Sequence, residues 1–353
     1  MRRILRCPIM GVGQKQFENG KRWTIVATFK IAAVQATPVF LDRDATLAKA
    51  LELIAEAGRS GARLVVFPEA FIPTYPDWVW RIPPGQHRML ADTYAELLEQ
   101  SVEIPDPTTD SLCEAARQAG VYLAMGLNER NAQASNASLY NTLLYIGPEG
   151  NLMGKHQKLV PTAPERMVWA QGDGSTLEAY DTPLGKLSGL ICWENYMPLA
   201  RYSLYAWGTQ IYLAPTWDSG EPWLSTLRHI AKEGRVYVVG CASAMRKEDI
   251  PDQFEFKSKH YSDVGEWINK GGSAIVSPDG KIIAGPLNEE EGIIYAEIDP
   301  KQMRGSKWNL DVAGHYARPD VFRLTVNQEG RPIMAIAETP GQDLQGEAEA
   351  LED

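Results

Sequence analysis

Apolar positions along this chain fall into short unbroken runs separated by stretches spaced for helices. Residues 31–36 are almost wholly apolar and end two positions before Pro38, which reads as a buried strand. Next, Leu47, Leu51, Ile54 and Ala55 recur at helical spacing, with Asp42 or Asp44 available as the N-cap and Gly58 or Gly61 as the stop. Leu64, Val65, Val66 and Phe67 then form a continuous run too short for a helix, the mark of a strand covered on both faces. This β-α-β unit ends at Pro68 and Glu69.

The order repeats further on. A helix is predicted over residues 111–119, capped by Asp110 and stopped by Gly120, and a strand over residues 121–126. Residues 139–146 and 152–159 read as two strands joined through Gly147, Pro148, Glu149 and Gly150, which leaves Lys158 at the end of a hairpin. A strand over 187–192, a helix over 198–207 and a strand over 211–214 follow, and Cys192 stands where strand meets helix. Leu224, Leu227 and Ala231 share one helical face, residues 236–241 form another strand, and residues 273–277 pair with 281–285 through Pro278, Asp279 and Gly280. Residues 293–298 close the series. No break in composition divides residues 31–300, so the pattern predicts one α/β domain with helices outside packed sheets. Residues 1–29 read as an N-terminal extension and 326–353 as a C-terminal tail, partly disordered, since from Gly341 onward there are five acidic residues and no Lys or Arg.

Composition narrows the partners. A 353-residue chain that is 44% apolar can bury a substantial core. The net charge of −10 argues against nucleic acid and anionic membrane, because phosphate attraction needs clustered Lys and Arg. The longest apolar stretch, residues 236–245, is about half the roughly 20 residues that cross a bilayer. Arg6 and Pro8 interrupt any apolar run near the N-terminus, which argues against a cleavable secretory signal. Cys7, Cys113, Cys192 and Cys241 form no Cys-x-x-Cys pair, and the five histidines show no metal-ligand spacing. A reducing, cytoplasmic setting, no metal and a small, weakly charged or uncharged partner are the expectations.

Four side chains carry candidate chemistry. Cys192 follows an apolar run and precedes a predicted helix, whose N-terminal N–H groups and dipole favour a thiolate. Glu69 leaves an apolar strand into the nearly uncharged segment 70–76, where burial would raise its pKa toward that of a general base. Lys155 and Lys158 share a strand, and the spacing does not say which matters; an ammonium held between carboxylates would stay charged and stabilise an anionic intermediate. Glu165, seven positions beyond Lys158, would hold that lysine. Taken alone, each has a plain structural reading: a packed cysteine, a hydrated carboxylate, a solvated lysine, an ion pair with Arg166.

Together these segments resemble the nitrilase branch of the carbon-nitrogen hydrolase superfamily. Val65 Val66 Phe67 Pro68 Glu69 Ala70, then Ile72 Pro73 Thr74 Tyr75 Pro76, is similar to its glutamate motif. His156 Gln157 Lys158 Leu159, with Pro161 Thr162 and Glu165 Arg166, is similar to its lysine motif, and Cys192 Trp193 Glu194 Asn195, with Met197 Pro198 Leu199, to its cysteine motif. The resemblance runs over residues 30–325. It implies a four-layer αββα sandwich, assembly into a homodimer or larger oligomer that can extend into spirals, and hydrolysis of a nitrile to the acid and ammonia without metal or organic cofactor. Glu69, Lys158, Cys192 and Glu165 would be the catalytic set, and Tyr75, Trp169 and Trp193 the substrate contacts. An amidase or carbamoylase would use the same residues; an inactive scaffold would keep the fold alone. Gln157 stands where many relatives have a basic residue and Ala163 where many nitrilases have a histidine, departures that bear on pocket shape. The segment 169–176 looks most like plant-type and related bacterial nitrilases, which points toward cyanoalanine-like or arylaliphatic nitriles.

Overall fold

The computed structural model describes residues 27–131 and 135–331. All but the end of the expected N-terminal extension, and residues 332–353 of the expected tail, lie outside the described residues. Among the described residues there are twelve strands: β1 (Phe29–Gln35), β2 (Ala62–Val66), β3 (Tyr122–Arg130), β4 (Leu139–Ile146), β5 (Leu152–Gln157), β6 (Leu187–Gly189), β7 (Ile211–Thr216), β8 (Tyr237–Ala242), β9 (Ala244–Arg246), β10 (Trp267–Val276), β11 (Ile282–Asn288) and β12 (Gly292–Ile298). The helices are α1 (Arg43–Arg59), α2 (His87–Gln100), α3 (Pro107–Ala119), α4 (Pro198–Ala206), α5 (Glu221–Gly234), α6 (Glu255–His260) and α7 (Pro300–Gly305).

The strands form two mixed sheets. The first runs β12-β1-β2-β3-β4-β5, with β1, β2 and β3 parallel and the rest antiparallel. The second runs β11-β10-β8-β7-β6, with β6, β7 and β8 parallel. The apolar alternation decides which way each sheet faces. On β1 and β2, Ile31, Ala33, Leu64 and Val66 point into a core shared with Ile211, Leu213, Tyr237 and Val239 of the second sheet. Their neighbours Ala32, Val34 and Val65 pack against Ala50, Ile54 and Ala57 of α1 and Leu112 and Ala116 of α3. On the far side Tyr212, Ala214 and Val238 pack against Leu204 of α4 and Leu227 and Ile230 of α5. A period of two on strands buried on both faces thus yields helix, sheet, sheet, helix: a single αββα domain. Among the described residues no helix is long and apolar enough to cross a membrane.

Several boundaries differ from those read in the sequence. Helix α3 is capped by Asp106, not Asp110: Asp106 Oδ1 accepts the Thr109 N–H at 2.9 Å, Thr109 Oγ1 accepts the Asp106 N–H at 2.8 Å, and Pro107 fills the first helical position. For α1 the structure selects Asp42, which accepts from Ala45 N at 2.9 Å. Helix α2 escaped sequence reading because Gln86 offers it no side-chain cap and most of its surface is polar. Strand β10 starts at Trp267, well before Ser273, because Gly271 and Gly272 take positive φ and let the chain continue through a bulge to pair with β9.

One glycine is dictated by close approach. The β2–β3 ladder continues from the Phe67 N–H to Ala124 O at 2.8 Å and resumes at the Ile72 N–H to Gly126 O at 3.2 Å, so residues 68–71 bulge out between those bonds. A Cβ on Gly126 would fall 1.9 Å from Pro68 O and 2.8 Å from Ala70 N. Gly126→Ala therefore pushes the bulge outward, and chemical denaturation should show a loss of about 1–3 kcal/mol, as for overpacked interiors. Gly85→Ala, where a Cβ meets nothing within 4 Å, should stay within about 0.5 kcal/mol of the parent.

Candidate active site

Glu69 sits on that bulge, just past the C-terminal end of β2, next to Ala70 with φ 48°. Lys158 immediately follows β5; its N–H continues the hairpin to Asn141 O at 2.8 Å and its carbonyl accepts from Gly172 N at 2.9 Å. Glu165 lies in a 3-10 turn, Ala163–Met167. Cys192 opens another 3-10 turn, Cys192–Tyr196, shortly after β6, and takes φ 53°. That left-handed backbone is costly for a residue with a Cβ and persists only where surrounding structure imposes it. Asn195 helps impose it by donating from Nδ2 to Leu190 O at 2.9 Å and Cys192 O at 2.8 Å.

The charged groups meet out of water. Lys158 Nζ donates to Glu69 Oε1 at 2.8 Å and to Glu165 Oε2 at 2.7 Å, and all three side chains are at most 1% exposed. Each carboxylate accepts two further hydrogen bonds. Glu69 accepts from Asn141 Nδ2 and from the Trp217 backbone N–H, both at 2.7 Å. Glu165 accepts from the Tyr75 hydroxyl at 2.6 Å and the Thr162 N–H at 2.7 Å. Trp80 Nε1 in turn donates to the Tyr75 oxygen at 3.0 Å. Burial opposes the Lys158 charge, but Glu69, the Cys192 thiol and Glu165 outweigh it and hold the ammonium above the ordinary lysine range. Burial also raises the Glu69 carboxyl above its ordinary 4.5, against the pull of Lys158 and with a push from Glu165.

The Cys192 thiol is raised as well, first by burial and then by the charge of Glu69, with Lys158 and a hydrogen bond to Thr216 acting in the opposite direction. The expected pull of helix N–H groups and dipole toward the thiolate is thus opposed by burial and by Glu69. The turn directly after Cys192 is 3-10, and α4 begins at Pro198, where the sequence pattern places it. A cavity of about 240 Å³ opens onto it, lined by Tyr75, Trp80, Glu165, Cys192, Trp193 and Trp217 among others.

Glu69, Cys192 and the Lys158–Glu165 pair, from three separate stretches of sequence, are thus brought together. Tyr75 and Trp193 line the cavity, whereas Trp169 does not: it packs edge-on behind Tyr75, 5.5 Å between centroids, and donates from Nε1 to Asn128 Oδ1 at 2.9 Å. Sequence reading missed Asn141, Thr216 and the Trp217 backbone. Asn141 was visible as a polar residue inside an otherwise apolar strand; a backbone N–H leaves no such signal. Trp217 also stacks on Tyr75, 4.5 Å apart and nearly parallel at 6°, and its indole N–H is held by Asp77 at 3.1 Å. Among the described residues no three His, Cys, Asp or Glu side chains are grouped to hold a metal ion.

Comparison with known proteins gives the family. Residues 30–307 match the family described as carbon-nitrogen hydrolase. The chain belongs to the carbon-nitrogen hydrolase family. Among its relatives, "Nitrilase 2" of Arabidopsis thaliana is 42% identical over 310 residues, covering 86% of this chain and 90% of the relative. The "Aliphatic nitrilase" of Sinorhizobium fredii (strain HH103) is 41% identical, covering 85% and 96%. The "Bifunctional nitrilase/nitrile hydratase NIT4B" of Nicotiana tabacum is 42% identical, covering 88% and 90%. Among solved structures, Nit3 of Saccharomyces cerevisiae superposes with a TM-score of 0.65 at 23% identity, covering 83% of this chain and 97% of its own, which is a likeness of fold. An amidase from Nesterenkonia sp. gives 0.59 at 20% identity, covering 78% and 92%.

For a carbon-nitrogen hydrolase built this way, the pH profile reports the coupled carboxylates. Activity should fall with decreasing pH as Glu69 takes up a proton, with a midpoint above the ordinary 4.5 that belongs to the Glu69–Lys158–Glu165 set as a whole. Glu165 raises Glu69, so Glu165→Gln removes that push and leaves Lys158 to Glu69 alone. The acid limb of kcat should then move to lower pH, alongside a lower kcat; an unmoved or upward limb would contradict the coupling.

Proposed function

We propose that this carbon-nitrogen hydrolase is a nitrilase that converts an organic nitrile to the carboxylic acid and ammonia, with Cys192 as nucleophile, Glu69 as general base, Lys158 as electrostatic stabiliser and Glu165 as the group that holds Lys158. The observation that carries the reading is the Lys158 ammonium fixed between two buried carboxylates beside the Cys192 thiol. The names of relatives at about 40% identity support the nitrile over the amide as substrate, while the amidase likeness is one of fold.

In this reading Glu69 accepts the Cys192 proton and the sulfur adds to the nitrile carbon. The nitrogen takes up the proton, giving a thioimidate. Water, its proton drawn to Glu69, adds to the C=N carbon, and the tetrahedral species expels ammonia to leave a thioester. A second water, again deprotonated by Glu69, releases the acid and restores the thiol. Two of the three ammonium hydrogens of Lys158 go to carboxylates, which leaves one for charge developing on the substrate, together with a backbone N–H near Trp193. Tyr75 and Trp193 supply apolar surface around the nitrile, and the Tyr75 hydroxyl, raised well above its ordinary value by burial and Glu165, remains a donor to Glu165. We place the enzyme in the cytoplasm, a setting supported by free thiols at Cys113, Cys192 and Cys241, and expect a homodimer or larger assembly.

A panel of paired nitriles and amides, with ammonia and amide both quantified, tests the reaction. Nitriles should give acid and ammonia, and Cys192→Ala should lose turnover by on the order of 10⁴-fold or more. Intact-protein mass spectrometry of the wild type under turnover should find the acyl adduct on Cys192. Hydrolysis of amides alone would replace this reading with an amidase, and unchanged turnover in Cys192→Ala would end it. Light scattering after size exclusion should give at least twice the 39.2 kDa of one chain, and a fully active monomer would contradict the assembly.

A further inference from the structure

Two residues past Cys192, Glu194 is buried and absent from the residues lining the cavity. Its two oxygens serve different segments. Oε2 accepts the N–H of Ile191, the residue before Cys192, at 2.8 Å. Oε1 accepts the N–H of Leu159, the residue after Lys158, at 2.6 Å. His156, two residues before Lys158 on β5, brings Nε2 to 3.1 Å from Oε2 and 3.3 Å from Oε1, while its Nδ1 lies 3.3 Å from Thr176 O. The Glu194 N–H returns to Ile191 O at 3.1 Å, closing the turn that carries Cys192. Among the described residues, every direct hydrogen bond between residues 155–160 and residues 189–197 ends on this one carboxylate.

We propose that Glu194 is a positioning residue that sets the register between the nucleophile turn and the lysine segment, a role that rests on the nitrilase reading of Cys192 and Lys158. The two segments come from different sheets, β6 and β5, so no strand ladder fixes their relative height. Cys192 holds a left-handed backbone that its own preferences oppose. A carboxylate is suited to the task because it presents two acceptors and no donor. Burial works against its charge, but His156 and the two backbone N–H groups outweigh burial and hold the carboxyl below its ordinary range, so both oxygens remain acceptors.

This chemistry makes the isosteric amide a sharp test. In Glu194→Gln one oxygen becomes an NH2 group, which must face either the Ile191 or the Leu159 N–H, donor against donor, so one segment is released. Glu194→Asp keeps the charge and both oxygens but is one methylene shorter and cannot reach both segments. Both variants are compared with wild type by kcat per reactive thiol, counting Cys192 from iodoacetamide adducts by mass spectrometry. KM and the pH profile of the alkylation rate complete the comparison.

For Glu194→Gln, kcat per thiol should fall by on the order of 10²-fold with KM little changed, the cost of a misplaced reacting pair. The alkylation profile should move to higher pH as Lys158 loses its hold on the sulfur, and Glu194→Asp should shift the same way by less. A carboxylate that only stabilises the fold would lower the number of reactive thiols and leave kcat per thiol and the pH profile alone. That result in either variant overturns the proposal. Wild type that alkylates normally but turns over no nitrile would instead sink the nitrilase reading, and the alkylation profiles would still decide the role of Glu194.

Discussion

The whole site depends on keeping one ammonium charged where water does not reach. A lysine moved out of water loses several kcal/mol of hydration, recovered only if counter-charges and hydrogen bonds are already in place around it. Lys158 meets that condition with two carboxylates at hydrogen-bonding distance. Those carboxylates have the same problem in turn, and Asn141, the Trp217 backbone, Tyr75 and Thr162 solve it for them. Asn141 comes from β4 of the first sheet and the Trp217 N–H from just past β7 of the second, so the full set of donors is complete only when both sheets have packed. The same closure that makes the cluster expensive makes it rigid, which is what a pre-organised electrostatic site requires.

A buried charge cluster also bears on the thiol beside it. Many reactive cysteines are poised as thiolates by a cationic neighbour or a helix end. Here burial and the Glu69 charge push the Cys192 thiol up, and Lys158, already committed to two carboxylates, offsets only part of that. In the proposed reaction such a sulfur waits for a base to take its proton, and Glu69, itself raised by burial, is the carboxylate the proposal assigns to that step.

Much of this was legible in the residues. The strand pattern gave the alternation of sheets and helices because β1, β2, β7 and β8 are buried on both faces, and continuous apolar runs are hard to read otherwise. Glu69 and Cys192 stand at the ends of such runs, whereas Lys158 is separated from Lys155 only by the resemblance of its segment to the family's lysine motif. What stayed hidden depended on tertiary context. Helix α2 lacks a side-chain cap, the α3 cap lies four residues before the one chosen, and the Trp217 N–H that completes Glu69 has no side-chain signature at all. Closeness in sequence to Glu165 puts Trp169 forward as a substrate contact, yet its ring packs edge-on against Tyr75 and its indole N–H is held by Asn128, away from the cavity.

Strain follows the same geography. Ala70 and Ala163 take positive φ, at 48° and 44°, within two residues of Glu69 and Glu165, and Cys192 itself does so at 53°. In a strand successive side chains point to opposite faces of the sheet, so a chain that simply continued would go on alternating them. A left-handed step at or beside each of these positions breaks that alternation. The step is unfavourable locally and is held by neighbours such as Gly126, which makes room for the Glu69 bulge, and Asn195, which gathers the carbonyls around Cys192. Convergence of distant residues on one sulfur is therefore a property of how the strands end, and the packed sandwich behind them supplies the energy that keeps those ends bent.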